Sequence, residues 1–215
     1  MPDHLAVTIP LKDIQRIQLY INTARRSLSQ IQRETGADYF LNGTLYNMST
    51  FVPDCHLKAD GKVLCKPDYT VSGYSWNDGP DISMDTLPDA SQRNYITCTP
   101  LIVSGKPLSK LIYDEGQGGK RGRSAIGVKD GSLALYCTRD GGSLTRTPEA
   151  LRDDLAAAGW DSAVMLDSGG SSQCYFNGAV IQSSRNVHDL ILVYLKKGET
   201  TVGKKKVVLH PGHDA

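Results

Sequence analysis

The segment Ser162–Ser172 limits the fold more than any other part of the chain. Ala163–Leu166 is a short, uninterrupted apolar run, which is typical of a β-strand covered on both faces. The run stops at Asp167. Gly169 and Gly170 follow, and glycines allow left-handed backbone conformations and close approach of a ligand. The pattern predicts a buried strand that opens into a small-residue loop at a carboxylate.

Two interpretations of that loop are open at this point. Ser171 and Ser172 add two hydroxyl groups and, with the glycines, a row of backbone N–H donors. Such a row predicts a cradle for an anion or a sugar. The other interpretation is a tight turn that exposes Asp167. The segment alone does not decide between them.

Composition narrows the class of protein. The chain has 215 residues, of which 40% are hydrophobic and 22% charged, as expected for one globular domain with a substantial core. A net charge of +1 gives no support for a nucleic-acid or membrane partner. No apolar run approaches the roughly 18 residues of a membrane span. The N-terminus lacks the pattern of a signal peptide, so we expect a cytoplasmic protein or one released by cell lysis.

The five cysteines do not form a zinc motif, because none has Cys-x-x-Cys spacing. Cys55 and Cys65 flank a turn and are placed to face each other across a hairpin. A disulfide between them and two reduced thiols are both compatible with the sequence, and we favour the thiols. Cys137 and Cys174 lie in apolar segments and are expected in the core.

The first half of the chain predicts short strands around one helix. Residues 14–21 are compatible with a strand or a helix, and we favour a strand; further strands are expected at 38–41, 62–66, 70–74, 95–99 and 101–103. The helix begins after the N-cap Ser27 and ends at Thr35, before Gly36. The dipeptide Asn42-Gly43 favours a hairpin turn, and Asn42 at a strand end is also a candidate site residue.

The second half of the chain has clearer turn and helix-boundary signals. Asp130-Gly131 predicts a hairpin between strands 124–128 and 133–138. Thr147-Pro148-Glu149 predicts a helix start, and Gly159 its end. After the Asp167 loop, Asn177-Gly178 predicts a second hairpin, and residues 190–195 form a last apolar strand.

Residues 116–123 form a loop rich in glycine and basic side chains. A mobile, solvated turn is one interpretation. The other is a phosphate-binding loop of flexible backbone amides together with Lys120, Arg121 and Arg123. Arg123 is the strongest candidate, because it leads directly into the strand that begins at Ser124.

The order of these elements resembles the phosphodiester glycosidase family, which includes the catalytic domain of the enzyme that uncovers mannose 6-phosphate. The resemblance covers about residues 14–195 and rests on five stretches: Asn42–Tyr46, Arg123–Gly127, the Thr147 helix, Leu166–Ser172 and Ser184–Val187. The chain departs from the family pattern at two positions. Ser168 replaces the first of three glycines, and Thr44 replaces the second glycine of the early motif.

The resemblance implies a single α+β domain, a mixed and largely antiparallel sheet with a few covering helices. It also implies hydrolysis of a sugar-1-phosphate diester at the glycosidic carbon. We expect no cofactor and assign no metal ligand in this domain. In that reaction Arg123 and Arg185 would stabilise the phosphate leaving group. Asp167 would serve the oxocarbenium-like centre as nucleophile or as base.

The remaining candidate residues would bind and orient the substrate. Asn42 would contact a sugar hydroxyl or acetamido group, and Tyr46 would stack on the sugar ring. Gly169, Gly170, Ser171 and Ser172 would orient the phosphate or the sugar. Asp140 is a candidate second carboxylate, with a simple turn residue as the alternative. For Arg185 the alternative is a structural ion pair.

The composition near the C-terminus predicts three segments: the phosphodiester glycosidase-like domain at residues 1–198, a polar linker at 199–206, and residues 207–215. The last nine residues resemble the start of zinc-dependent N-acetylmuramoyl-L-alanine amidases, in which His213 matches a metal ligand; a disordered tail is the alternative. One histidine does not make a zinc site.

Three functional hypotheses follow. The first is a glycosidase acting on an N-acetylglucosamine-1-phosphodiester, in a bacterial wall polymer. The second is a non-catalytic module that binds the wall or sugar phosphates. The third is the same glycosidase reaction on a nucleotide-like small molecule.

Overall fold

In the computed structural model, residues 2–86 and 91–197 are described, and they form eighteen strands and two α-helices. The linker at 199–206 and residues 207–215, with His213, lie outside the described residues. Helix α1 is Leu28–Thr35 and helix α2 is Pro148–Ala157. The strands are β1 His4–Pro10, β2 Ile14–Ile21, β3 Tyr39–Asn42, β4 Tyr46–Asn47, β5 Val52–Pro53, β6 Leu57–Ala59, β7 Lys62–Cys65, β8 Gly73–Trp76, β9 Ser83–Asp85, β10 Asn94–Ile96, β11 Thr99–Val103, β12 Lys106–Pro107, β13 Ser124–Lys129, β14 Ser132–Thr138, β15 Ser162–Met165, β16 Cys174–Phe176, β17 Ala179–Ile181 and β18 Asp189–Leu195.

The strands form three larger sheets and one two-stranded ribbon. The six-stranded sheet has the order β1-β14-β13-β15-β11-β12. The two five-stranded sheets have the orders β17-β16-β3-β18-β2 and β7-β6-β10-β8-β9, and β4 pairs with β5. All neighbouring strands are antiparallel. The expected α+β fold with largely antiparallel sheets and a few covering helices is confirmed.

The continuous apolar run at 163–166 is explained by burial on both faces of its sheet. Val164 and Leu166 belong to the central core, which the three larger sheets share. Ala163 and Met165 point the other way, into a second cluster with Leu151 and Leu155 of α2. Side chains alternate between the two faces of a strand, so a strand covered on both faces needs apolar residues at every position.

Strand β18 repeats this pattern in the sheet that carries α1. Ile191 and Val193 face the central core, whereas Leu190 and Leu192 pack with α1. The two helices therefore cover the outer faces of two sheets whose inner faces meet. Within the described residues, neither helix is long and apolar enough to cross a membrane.

The predicted helix boundaries are confirmed by their caps. Ser27 and Gln30 form a capping box at the start of α1, and Gly36 closes the helix with φ of 63°. Thr147 accepts a hydrogen bond from the Ala150 N–H at the start of α2. The hairpin turns at 130–131 and 177–178 are also confirmed, with positive φ at all four residues.

Several parts of the fold differ from the sequence expectations. Strands β6 and β9 were not predicted, and the strand expected at 95–99 ends at Ile96. Strand β1, which pairs with β14, was not predicted, although Leu5, Val7 and Ile9 all pack into the central core. The strand expected at 70–74 begins only at Gly73. The hairpin expected at Asn42-Gly43 is wrong, because β3 pairs with β16 and β18 and the backbone of Gly43 bonds elsewhere.

The cysteines are all unbridged. Cys65 pairs in register with Leu57, where the ladder is irregular. Cys55 lies opposite Cys98 instead. The antiparallel pairing of β6 with β10 has Leu57 opposite Ile96, and a hydrogen bond from the Thr97 N–H to the His56 carbonyl continues that register to Cys55 and Cys98.

Candidate functional site

The candidate site lies where the ends of two sheets meet, and Gly43 joins them. The Gly43 N–H donates to the carbonyl of Asp189, at the start of β18, at 2.8 Å. The Gly43 carbonyl accepts from the Asp167 N–H, just after β15, at 3.0 Å. Two aspartates from different sheets are thus tied to one glycine.

Asp167 is buried, with 8% of its surface exposed, so the alternative of an exposed turn residue is wrong. Its Oδ1 accepts from the N–H of Ser168 at 2.8 Å. Burial raises the pKa of the carboxyl to about 6, although the Ser171 hydroxyl, the Ser168 N–H and the Arg185 charge all oppose that increase. A carboxyl with a pKa near neutrality can hold or release a proton under physiological conditions.

Asp189 is a second buried carboxylate, which the sequence analysis did not single out. Its Oδ1 accepts from the Thr44 N–H at 2.9 Å, and its Oδ2 lies 3.0 Å from Nδ1 of His188. Burial raises the pKa of Asp189, and its interactions with His188 act in the opposite direction. The sequence carried a signal for this residue, because His188 and Asp189 directly precede an apolar strand just as Asp167 directly follows one.

The loop after Asp167 forms a 3-10 turn over Gly169–Ser171. Gly169 has φ of 63°, which favours glycine. A side chain at Gly170 would collide with the guanidinium of Arg185 and the hydroxyl of Ser184. The second glycine is therefore required so that Arg185 can lie against the turn.

The hydroxyl oxygens of Ser171 and Ser172 are buried and make no hydrogen bond to described residues that meets ordinary geometry. The Ser171 hydroxyl is nevertheless close enough to lower the pKa of both Asp167 and Tyr46. Buried hydroxyls without good partners are uncommon, because each loses its hydrogen bonds to water. Those of Ser171 and Ser172 leave hydrogen-bonding capacity for a bound molecule in the loop.

Arg185 is an exposed cation at this loop. Its guanidinium lies against Gly170 and reaches the sulfur of Met48 at 2.5 Å. Within residues 2–86 and 91–197 it makes no ion pair, so the alternative of a structural ion pair is not what these residues show. Its charge acts on both Asp167 and Tyr46.

Arg123 occupies a different environment. It is fully buried, and its guanidinium donates to the carbonyls of Arg146, Gln117 and Gly119 at 2.6–2.8 Å. Burial lowers its pKa to about 10. Its nitrogen atoms hold the 116–119 loop in place by carbonyl contacts.

Another basic residue of that loop, Arg121, is brought to the candidate site. A Cβ atom placed on Gly169 would lie 3.7 Å from Cδ of Arg121 and 3.8 Å from Oδ2 of Asp140. The second Asp140 oxygen, Oδ1, accepts from the Gly122 N–H at 2.8 Å. Asp140 therefore combines a turn contact with a free oxygen beside the glycine loop, and both interpretations of this residue describe part of its environment.

Asn42 holds the site together from beneath. Its Nδ2 donates to the Asp167 carbonyl at 2.8 Å. Its Oδ1 accepts from the Ser124 hydroxyl and from the Gln173 N–H. Both ends of the amide are engaged with protein, and the residue is fully buried.

Tyr46 lies beside the glycine loop. Its hydroxyl donates to the Asn186 carbonyl at 2.7 Å, and its ring packs edge-on against Phe51. Burial raises the pKa of the phenol, whereas the Ser171 hydroxyl lowers it. Tyr46 is the residue that connects the turn at Ser171 with the aromatic group formed by Phe51 and His188.

The structure thus groups most of the predicted site residues around one loop. Asp167, Tyr46, Arg185 and Ser171 act electrostatically on one another. The Arg123 guanidinium is instead engaged by its three carbonyl partners. Within the described ranges, no three His, Cys, Asp or Glu side chains are grouped so that they could hold a metal ion.

Comparisons with known proteins identify the family and the fold. The model of the family described as phosphodiester glycosidase matches residues 23–194. No curated protein matches the chain. One similar solved structure is the zebrafish N-acetylglucosamine-1-phosphodiester alpha-N-acetylglucosaminidase catalytic domain, auto-inhibited by its pro-peptide. The TM-score is 0.66 at 12% identity, over 90% of this chain and 84% of that chain.

Two further structures share the fold. A hypothetical protein from Synechocystis has a TM-score of 0.70 at 13% identity, over 90% of this chain and 59% of that chain. A putative exported protein from Burkholderia pseudomallei K96243 has a TM-score of 0.60 at 11% identity, over 88% of this chain and 73% of that one. At these identities the likeness shows the fold alone.

Proposed function

This chain belongs to the phosphodiester glycosidase family, and from that premise we propose that it hydrolyses a sugar-1-phosphate diester at the glycosidic carbon. The observation that carries the proposal is the raised pKa of buried Asp167 beside a loop in which two serine hydroxyls have no hydrogen-bond partner of ordinary geometry among the described residues, and beside Arg185, which has no ion-pair partner there. The family favours N-acetylglucosamine as the sugar.

Asp167 is the proposed catalytic carboxylate. Glycosidic cleavage passes through an oxocarbenium-like state that a nearby carboxylate stabilises, as nucleophile or as base for water. The Ser168 N–H holds one orientation of this carboxylate by donating to Oδ1, and the Ser171 hydroxyl lies close enough to lower its pKa. The Asn42 side chain positions Asp167 by donating to the Asp167 backbone carbonyl. In this proposal Asn42 does not contact the sugar.

Arg185 is the proposed contact to the phosphate leaving group. A phosphodiester anion leaves without protonation when a cation stabilises its charge, and an arginine can do so through two hydrogen bonds. Arg185 lies at the loop without a carboxylate partner in the described part of the chain, whereas Arg123 is saturated by carbonyls. Arg121, beside Gly169, is a second cation for the same phosphate.

The second carboxylate has two candidates with different environments. Asp189 is buried and held by His188 and Thr44, so it is suited to fixing the electrostatics around Asp167. Asp140 is exposed and presents Oδ2 beside Gly169, so it is suited to contacting substrate or water. We assign the positioning role to Asp189 and the contact role to Asp140.

Release of N-acetylglucosamine from an N-acetylglucosamine-1-phosphodiester tests the proposal. Asp167→Asn should lower kcat by about a hundredfold or more, and Arg185→Gln should lower kcat/KM about as strongly. Asp130→Asn, in an exposed hairpin turn of the same sheet, is the matched control. If wild type and Asp167→Asn bind wall fragments equally and neither releases sugar, the chain is a binding module and the glycosidase proposal is wrong.

The wall polymer as natural substrate rests on the likeness of residues 207–215 to an amidase start. Turnover of purified wall polymer should exceed that of small nucleotide sugars in kcat/KM. The reverse order would assign the reaction to a nucleotide-like small molecule.

A further inference from the structure

A polar pocket of about 130 Å³ lies next to the candidate site. It is lined by Arg26, Ser27, Leu28, Gln173 and the segment 182–186. Arg185 belongs to both places: its guanidinium lies against Gly170 of the glycine loop, and it also lines this pocket. A molecule bound at Asp167 could therefore extend past Arg185 into the pocket.

A buried amide joins the two walls of the pocket. Asn22 is fully buried, and its Nδ2 donates to the carbonyls of Arg26 at 2.9 Å and Val187 at 3.0 Å. Its Oδ1 accepts from the Arg26 N–H at 2.8 Å. The loop that carries Arg26 is thereby fixed against the segment that follows Arg185.

The Arg26 guanidinium contacts protein groups through Nε and Nη1 and leaves Nη2 for a ligand. Its Nε pairs with Glu34 at 2.8 Å, and its Nη1 lies 3.5 Å from the Tyr20 hydroxyl. Nη2 has no hydrogen-bond partner in the described part of the chain. Glu34 offsets one positive charge, so Arg26, Glu34 and Arg185 together leave the pocket with one net positive charge and free guanidinium donors.

Gln173 supplies a third donor that points to a ligand. Only 3% of this residue is exposed, and its Oε1 accepts from the Ser183 hydroxyl at 2.8 Å. Its Nε2 amino group has no acceptor among the described residues, although Gln173 lines the pocket. This amino group is therefore available to an acceptor bound in the pocket.

We propose that the pocket formed by Arg26, Gln173 and Arg185 binds a second phosphate group of the substrate, on the leaving-group side of the bond that is cleaved. This inference rests on the proposed function. Three donors that converge with a net positive charge match the several acceptor oxygens of a phosphate. The preferred substrate is then a polyanion with phosphate on both sides of its aglycone, and a single diester with an uncharged aglycone is a poorer one.

Two synthetic substrates test this inference. One is N-acetylglucosamine-1-phosphoglycerol, and the other carries a further phosphate on the glycerol. Wild type should prefer the second in kcat/KM by about tenfold, the value of one charge-assisted contact. Arg26→Gln should abolish the preference by raising KM for the second substrate only, and Arg26→Lys should restore part of it.

Arg33→Gln is the control, because Arg33 is exposed on helix α1, which follows the loop of Arg26, and does not line the pocket. It should keep the preference. If Arg26→Gln keeps it too while both substrates are hydrolysed, the pocket inference is wrong and the glycosidase proposal stands.

A titration with inorganic pyrophosphate separates the two proposals. Wild type should bind pyrophosphate about tenfold more tightly than Arg26→Gln and as tightly as Arg33→Gln. That result without hydrolysis of either substrate would support the pocket and overturn the glycosidase proposal. Equal binding by wild type and Arg26→Gln would overturn the pocket.

Discussion

The Asp189 carboxylate occupies the space directly over Gly43, where any side chain on that residue would have to lie. The same glycine bonds through its backbone to Asp189 on one side and to Asp167 on the other. A residue whose sequence context favours a simple turn therefore links two buried aspartates.

Gly43→Ala should damage both stability and activity. The added methyl group collides with Oδ1 and the backbone carbonyl of Asp189, so the carboxylate or the strand start must move. Overpacking of this kind costs roughly 1 to 3 kcal/mol in the free energy of unfolding, measured by urea denaturation. Gly79→Ala is the control, since nothing lies within 4 Å of a Cβ there. Equal unfolding midpoints for the two variants would contradict the crowding at Gly43.

Asp167→Asn should be more stable than wild type at pH 7. The folded-state pKa of Asp167, about 6, lies above its ordinary value of 3.8, so ionisation of this carboxyl opposes folding. Stability falls as pH rises from about 4 to about 6, and the cost at pH 7 is roughly 2 to 3 kcal/mol. Unfolding of both proteins at pH 3.5 and pH 7 checks this. The gain should be present at pH 7 and almost absent at pH 3.5.

The activity of wild type should depend on the ionised form of Asp167. Because its pKa is about 6, kcat/KM for a phosphodiester substrate should fall as pH decreases through 6, by about tenfold per pH unit below it. A pH–rate profile measures the inflection. A profile that is flat between pH 4.5 and 7 would remove Asp167 from the base or nucleophile role.

Substitution of Arg123 should mainly reduce stability, whereas substitution of Arg185 should mainly reduce activity. Arg123→Gln removes the donors to three carbonyls, so we expect a loss of about 3 kcal/mol or more in unfolding free energy. Arg185→Gln should change stability by no more than about 0.5 kcal/mol, because the side chain is exposed, while kcat/KM falls. Denaturation and kinetics on the same preparations compare them. A stable, inactive Arg123→Gln would return Arg123 to direct phosphate contact.

His188 should act through Asp189 as a positioning residue. His188→Asn places an amide N–H near the position of Nδ1 and can keep the hydrogen bond to Oδ2, whereas His188→Leu cannot. Without that bond the pKa of Asp189 rises further and its charge near Asp167 is reduced. We therefore expect the inflection of the pH–rate profile to shift in the leucine variant and to stay in place in the asparagine variant. Identical profiles for both would separate His188 from the site.

The sequence was informative where local pattern and environment coincide. The strand before Asp167 could be predicted because burial on both faces requires apolar residues throughout, and the helix ends could be predicted because caps are local. The environment of Arg123 could not, because it depends on carbonyls of residues 117, 119 and 146 that converge only in the folded chain.

Two other differences have similar causes. Asn42-Gly43 has the residues of a hairpin turn, but tertiary hydrogen bonds to two aspartates determine its conformation instead. Asp189 was missed although its position mirrors that of Asp167, since a carboxylate at the start of a strand resembles an ordinary solvated strand end. Its burial becomes visible only when Gly43 and Thr44 are brought beside it.

The contacts through Gly43 also determine when during folding the site can form. The bond between Thr44 and Asp189 spans 145 residues of sequence, and the strand that begins at Asp189 is the last strand of the described chain. Contacts of such separation form late, because the intervening chain must first be ordered. A nascent polypeptide that still lacks β18 has Asp167 without the frame that holds it, so the site is assembled only once synthesis has passed the final strand.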